Sequence, residues 1–464
     1  MILDPSAPHP HVHTDDEVLE FWEMMERMVE LTDVSQGEAN AALVGYVKRA
    51  CDNYMVYINS DTDLCRMAAI FIDSKVFKQR EEFCLSKLLS LLSIDLLELN
   101  MKFLIAYILL WDSKNNLNSL DTMLNYQGFN VFYNTCYTQF AYLIKYGEQQ
   151  EQRYNLHESA EIELRIIDDM KQISTVLLDL LFQIFKYCKC TMENVQMIDD
   201  FFVYYLMATM KSDSVNDNDM FNNVKFRLSL ALNEQYMMFS RDYEIENKVY
   251  KYLCNDTMHT DFPELFLLKF NRAQDSTLKI MMCKILHLIL NSTNDHVSMN
   301  FFYTNDLNVF VDVMIRELQN ISDNDELLRN YYLRVLTPLL KNTELCNTHY
   351  KKDEINNLLH YLTRVDNICG TDVPTQEQQL TLKLANKCLN QVPWLETNGD
   401  DWDSDSTSAR SSITGITPVT NSTPTDRQPR QLYSNPEMVY SAESLGRRKT
   451  RPPPPPPARK VRMP

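Results

Sequence analysis

The chain is 464 residues long and 45% hydrophobic, with 63 acidic against 45 basic residues and a net charge of −18. So acidic a chain should repel nucleic acid and anionic membrane surfaces. It has only 8 Gly and 18 Pro, too few turn residues for a β-sandwich of this length.

From the start, His9, His11 and His13 alternate in PHPHVH, a metal-chelating spacing, but residues 1–13 read as disordered and no metal is assigned. No proline follows Pro10 until Pro263, so a large helical body is expected over residues 14–395. Thr14 with Glu17 forms a capping box before a helix whose inner face is Val18, Phe21, Trp22, Met25 and Val29. Residues 82–111 and 158–187 hold long runs of helical apolar spacing. Within the first, FLIAYILLW at 103–111 is too short to span a bilayer and reads as a buried core helix.

The 11 Cys are odd in number and scattered, with no secretory signal at the start, which fits free thiols in a reducing cytosol. Cys188 and Cys190 lack zinc-knuckle spacing. The pairs Asp168–Asp169 and Asp199–Asp200 are adjacent, so on a helix they point about 100° apart and do not converge. GxGxxG, GxxxxGK[ST], HExxH and GxSxG motifs are all missing. No catalytic residue, metal or cofactor is therefore assigned, and binding surfaces are expected to carry the function.

Residues 301–342 are the most informative block. Thr304 or Asn305 should cap a helix with Leu307, Phe310, Val311, Met314 and Leu318 inside. Ser322 or Asp323 should cap a second, with Leu328, Tyr331, Tyr332, Val335, Leu336 and Leu339 inside. The short link makes an antiparallel hairpin. Such hairpins, stacked about every 40 residues, predict an all-α, armadillo- or HEAT-like solenoid. Phe302, Tyr303, Tyr331 and Tyr332 are assigned to its core. Asp312, Arg316, Arg329, Asn330 and Arg334 should point outward, and Lys351 and Lys352 open the next helix. In VPTQEQQLTLKLANKCLNQV, 373–392, Thr375 and Gln378 cap a last helix bearing Leu380, Leu382, Leu384, Ala385 and Leu389.

FFYTNDLNVFVDVMIREL, LRNYYLRVLTPLLKNTEL and YKKDEI at 350–355, with FPELFLLKFNRAQD at 262–275 upstream, resemble the WISH/DIP family, and the proline-rich end is similar to its yeast branch. The resemblance implies an armadillo-repeat body that binds and activates the Arp2/3 complex without a preformed filament, starting linear actin filaments. It also implies recruitment to cortical endocytic actin patches through SH3 partners of the endocytic coat. The outward charges above become the candidate Arp2/3-contacting surface. The alternative is a passive SH3-binding scaffold without nucleation.

Residues 396–464 lose apolar periodicity and read as a disordered tail with Thr417–Pro418 and Thr423–Pro424 as phosphorylation candidates. From residue 427 onward nine basic residues face Glu437 and Glu443, a net +7, which leaves residues 1–426 at −25. Asp400, Asp401, Trp402 and Asp403 resemble the acidic-tryptophan motifs that dock on the Arp2/3 complex; packing of Trp402 on the body is the other reading. No basic actin-monomer-binding segment precedes it, so delivery of monomers is not expected. RPPPPPPARK, 451–460, is preset as polyproline II. Arg451, Pro454, Pro457 and Arg459 fit SH3 grooves in both orientations. Profilin, which also grips poly-proline, and a plain spacer are the other readings. Nucleic acid and direct membrane insertion are not expected, and the location implied is the cytoplasm at cortical actin patches.

Overall fold

The computed structural model describes residues 14–395 except 32–34, 148–157, 212–218, 241, 256–260, 293, 323–324 and 370–372. Twenty-two α-helices run through the described residues. The only β feature among them is an isolated bridge between Tyr54 and Ile58.

The helices group in threes. The first unit holds α1 (Asp15–Val29), α2 (Gln36–Asp52) and α3 (Asp61–Asp73), the second α4 (Lys75–Gln79), α5 (Glu81–Leu92) and α6 (Leu99–Asn115). The third holds α7 (Asn118–Asn125), α8 (Gly128–Tyr146) and α9 (Glu158–Tyr187), the fourth α10 (Met192–Met197), α11 (Asp200–Ala208) and α12 (Met220–Phe239). Then come α13 (Lys248–Leu253), α14 (Phe262–Arg272) and α15 (Ser276–Leu290), and after them α16 (Asp295–Asn300), α17 (Thr304–Asn320) and α18 (Glu326–Lys341). The last unit has one extra turn: α19 (Leu345–Thr348), α20 (Lys352–Leu362), α21 (Val365–Ile368) and α22 (Gln376–Gln391).

The third helix of each unit packs on the third helix of the next. α3 lies on α6, α6 on α9, α9 on α12, α12 on α15, α15 on α18, and α18 on α22. A second ladder runs beside it through α2, α5, α8 and α11, then α14, α17 and α20, with α13 bridging α11 to α15. This is the all-α, armadillo-like solenoid expected, built from three-helix units in place of hairpins. Its period is longer than expected, 50 residues from Ser276 to Glu326 and again to Gln376. The added short helices carry few apolar residues, so the periodicity of the sequence shows only their longer partners.

Capping boxes at Thr14, Ser35, Ser60, Thr191 and Thr375 start five of the helices. Each pairs a hydroxyl with the N3 amide, satisfying donors a helix start leaves open. Other starts differ from expectation. Thr304 is already helical, behind Tyr303 as an N-cap without a side-chain bond. The next helix begins only at Glu326, and the Ser322 hydroxyl donates to Asp325 Oδ2 (3.2 Å). Asp323 lies outside the described residues.

The expected inner residues of α1, α6 and α17 are buried or packed against the core. An aromatic seam ties the later units together. Phe266 stands within 5.7–6.2 Å of Phe262, Phe270, Phe302 and Phe310, ring centre to ring centre. Phe270 meets Phe310 edge-on at 5.3 Å and Tyr332 at 5.7 Å. Tyr303 is the exception: it stands 79% exposed and belongs to no core, because the turn before α17 aims it outward while Phe302 turns in. Tyr331 is half-buried. On α22 the fully buried stripe is Gln378, Thr381, Ala385 and Cys388, with Leu382, Leu384 and Leu389 only packed at its margin.

Phe270 joins three helices of two successive units, α14 with α17 and α18, so Phe270→Ala should cost about 3–5 kcal/mol of unfolding free energy. A urea titration followed by circular dichroism measures it, and an unchanged midpoint would contradict the seam's role.

Candidate functional site

The charged residues singled out in the sequence do not form one surface. Asp312 and Arg316 are exposed on α17, on the ladder of second helices. Arg316 reaches α14, where Nη1 donates to Asn271 Oδ1 (3.1 Å) and Nη2 to the Asn271 carbonyl (3.3 Å). Asp312 meets Lys351 Nζ at 3.2 Å and accepts from the Tyr350 hydroxyl at 3.4 Å. Lys351 also pairs with Glu354 at 3.1 Å. These bonds to Glu354 and Asp312 raise the Lys351 ammonium above its ordinary pKa. Lys352 follows, half-buried in the first turn of α20. Beside Arg316, burial pushes the Glu317 carboxyl up, but bonds from Lys279 (2.6 Å) and Arg316 (3.1 Å) outweigh it and hold its pKa low.

Arg329 and Asn330 are not on the surface at all. They are 6% and 1% exposed, in the seam between α18 and α22. Arg329 pairs with Glu326, and its Nη2 donates to the Ile321 carbonyl (2.8 Å). Thr381 Oγ1 donates to Glu326 Oε2 (2.7 Å) or Asn330 Oδ1 (2.9 Å), and Asn330 Nδ2 donates to the Glu377 carbonyl (3.1 Å). The outward assignment fails because α18 is covered on two sides, by α15 and by α22. Arg334, one turn on, does face out, with its guanidinium 5.3 Å from the Tyr331 ring centre.

The tail candidates Asp400, Asp401, Trp402 and Asp403, and Arg451, Pro454, Pro457 and Arg459, lie outside the described residues, as do His9, His11 and His13. The body's last tryptophan packs back on it: Trp394 Nε1 donates to the Leu340 carbonyl (3.1 Å), and the indole stacks on His349 at 5.0 Å. All eleven cysteines are free, with Cys190 buried and its thiol pushed up to about 12 by burial. Asp199 caps α11 through the Phe202 amide (2.8 Å), and Asp200 holds Lys251 (3.0 Å). Among the described residues no helix is long and apolar enough to cross a membrane, and no three His, Cys, Asp or Glu side chains gather as metal ligands.

A group that sequence reasoning missed is Lys225, buried in α12 beside a cleft of about 590 Å³. Its Nζ donates to the Thr209 carbonyl (2.6 Å) and Oγ1 (3.1 Å). Burial lowers its pKa to about 7. One lysine within an apolar helical run gives no sign that its head stays inside.

Two predictions follow from these environments. Arg329→Ala leaves the Glu326 carboxylate buried without its partner and should cost about 3–5 kcal/mol in chemical denaturation. The control Lys351→Ala, which breaks only solvent-facing pairs with Asp312 and Glu354, should cost no more than about 1 kcal/mol. Lys225 has a folded pKa below its unfolded value, so unfolding takes up a proton at neutral pH, and wild-type stability rises as pH climbs above about 7. Lys225→Met should therefore be most stabilising near pH 6 and lose that advantage toward pH 9, as read from urea midpoints. A gap that widens with pH would refute it.

Comparison with known proteins fits this arrangement. The SPIN90/Ldb17 leucine-rich domain matches residues 218–355, which run from α12 into α20 and contain the aromatic seam and the charged residues described above. The chain is similar to Protein LDB17 of Saccharomyces cerevisiae, 54% identical over 476 residues that cover 97% of this chain and 96% of that protein. Protein LDB17 of Eremothecium gossypii is 48% identical over 384 residues, 82% of this chain and 83% of that one. Protein dip1 of Schizosaccharomyces pombe is 29% identical over 282 residues, 56% and 72% of the two chains. With this similarity along almost its whole length, the chain belongs to the SPIN90/Ldb17 family, the WISH/DIP group that its 301–355 block resembles.

Proposed function

We propose that the helical body activates the Arp2/3 complex to start linear actin filaments without a preformed filament. The tail then recruits the body to cortical endocytic actin patches through SH3 partners. The observation that supports this is the family match at residues 218–355, which falls wholly on the stacked helices and not on the tail. A body that activates must bind the active arrangement of its target more tightly than the inactive one. The exposed Asp312, Arg316 and Arg334 and the half-buried Lys351 and Lys352 are the proposed contacts; Arg329 and Asn330 act only inside the stack.

The tail residues Arg451, Pro454, Pro457 and Arg459 supply the SH3 ligand, with prolines on groove aromatics and a guanidinium on the acidic pocket beside them. Profilin is a second partner for the same run. Asp400, Asp401, Trp402 and Asp403 are proposed as an auxiliary acidic dock.

Purified chain added to Arp2/3 complex and pyrene-actin, with no seed filaments, should accelerate assembly, and microscopy should show unbranched filaments. No acceleration would leave a passive SH3 scaffold. Deleting 427–464 should abolish SH3 pull-down and leave acceleration intact; an inert truncation would make the tail part of the activator. Replacing Arg451 and Arg459 with Ala together should weaken SH3 binding by about 2–4 kcal/mol. An unchanged affinity would point to profilin or a spacer.

A further inference from the structure

The ladder of third helices leaves one narrow stripe of each helix open to solvent. On α15 that stripe includes Ile280, Lys284 and His287, and on α18 it is Leu327, Tyr331, Arg334 and Lys341. On α22 beyond the first turn it includes Lys383, Asn386 and Lys387. Because α15, α18 and α22 pack side by side, the three stripes make one face.

That face is basic in a body that is otherwise acidic. Two cations approach the Tyr331 ring, Lys284 Nζ at 5.5 Å and the Arg334 guanidinium at 5.3 Å from its centre. Burial lowers the His287 pKa, and Arg334 of α18 and then Lys387 of α22 lower it further, as cations near that ring do. Lys284 has a carboxylate, Glu234 on α12 at 2.6 Å. Among the described residues no carboxylate pairs with Arg334, Lys341, Lys383 or Lys387, and none stands on the open stripes of α15 and α18; on α22 the one exposed carboxylate is Glu377 in its first turn. By contrast, residues 1–426 as a whole carry a net charge of −25. Like charges held together without counter-charges raise the energy of the free protein, and an anionic partner relieves it.

We propose that this face, centred on Arg334 with Tyr331, His287 and Lys387, docks an extended acidic peptide segment of a partner protein. The spacing favours a peptide. Neighbouring helix axes lie about 8–10 Å apart, close to the ~9 Å that one three-residue turn of a polyproline II chain spans, and in that conformation every third side chain falls on one face, so acidic side chains at that spacing meet successive helices. Leu327 and Ile280 offer apolar contact beside the charges. A nucleic acid strand fits less well, since the net negative body repels a long polyanion beyond the patch. The proposal does not depend on Arp2/3 activation, and it is tested without that complex.

The probe is fluorescein-labelled decaglutamate, titrated with full-length chain and followed by anisotropy. Binding is expected, weakening with added salt. Arg334→Glu with Lys387→Glu should weaken it at least tenfold, whereas Arg334→Lys with Lys387→Arg retains most of it. Tyr331→Ala should lower it severalfold. All these positions are open to solvent or half-buried, and circular dichroism checks that the fold is kept. Because the basic tail also attracts anions, a variant with Arg447, Arg448, Lys449 and Arg451 changed to Glu is run in parallel. Absence of binding, binding indifferent to the Arg334 and Lys387 reversal, or binding lost only in the tail variant would overturn the proposal. So would a labelled ten-nucleotide thymidine strand that binds more tightly than decaglutamate and loses that binding in the Arg334 and Lys387 variant.

Discussion

A helix that is apolar on every side has to be enclosed on every side. α6 buries Lys102 and an almost continuous run from Phe103 to Leu110, and it is covered by α2, α3, α5, α7 and α9. α12 is in the same position among α9, α10, α11, α13 and α15. Each such helix needs the next unit as its other wall, so the units cannot stand alone and the stack propagates until an end can face water. α22 provides that end. Its buried stripe mixes Gln378 and Thr381 with Ala385 and Cys388, and its outer positions are polar.

The same enclosure dictates what becomes of charged residues on the ladder. Those that fall off the open stripe are taken inside and must be paired there. Asp179 on α9 is nearly buried, and it bonds Lys114 of α6 at 2.8 Å and Arg227 of α12 at 3.6 Å, joining three successive units. Glu326, Arg329, Asn330 and Thr381 do the same between α18 and α22. Such groups fix the register of one helix against the next; what remains for partners is the stripes and the turns.

The two ladders divide the outer surface by chemistry. Around α17 and the start of α20, charges pair with one another: Asp312 with Lys351, Lys351 with Glu354, and Arg316 with Glu317. On α18 and α22 the open cations Arg334, Lys341, Lys383 and Lys387 stand without carboxylate partners among the described residues, with Arg334 beside the Tyr331 ring. A paired surface can meet a large partner by shape without a desolvation penalty for lone charges, whereas an unpaired one selects partners by sign. The body thus has two faces suited to different kinds of contact.

Apolar spacing, capping residues and the scarcity of Gly and Pro are local properties, and they were enough to define an all-α repeat body with helices at 15–29, 158–187, 304–320 and 376–391. The family signature in 301–355 was likewise written in contiguous residues. The sequence could not show that short helices turn hairpins into triplets, since five or six residues such as Lys75–Gln79 carry too little periodicity to read. Nor could it tell Arg334 from Arg329. A hydrophobic pattern marks one inner face, and α18 has two, so only the arrival of α22, some 50 residues later in the chain, decides that Arg329 and Asn330 are inside and Arg334 is not.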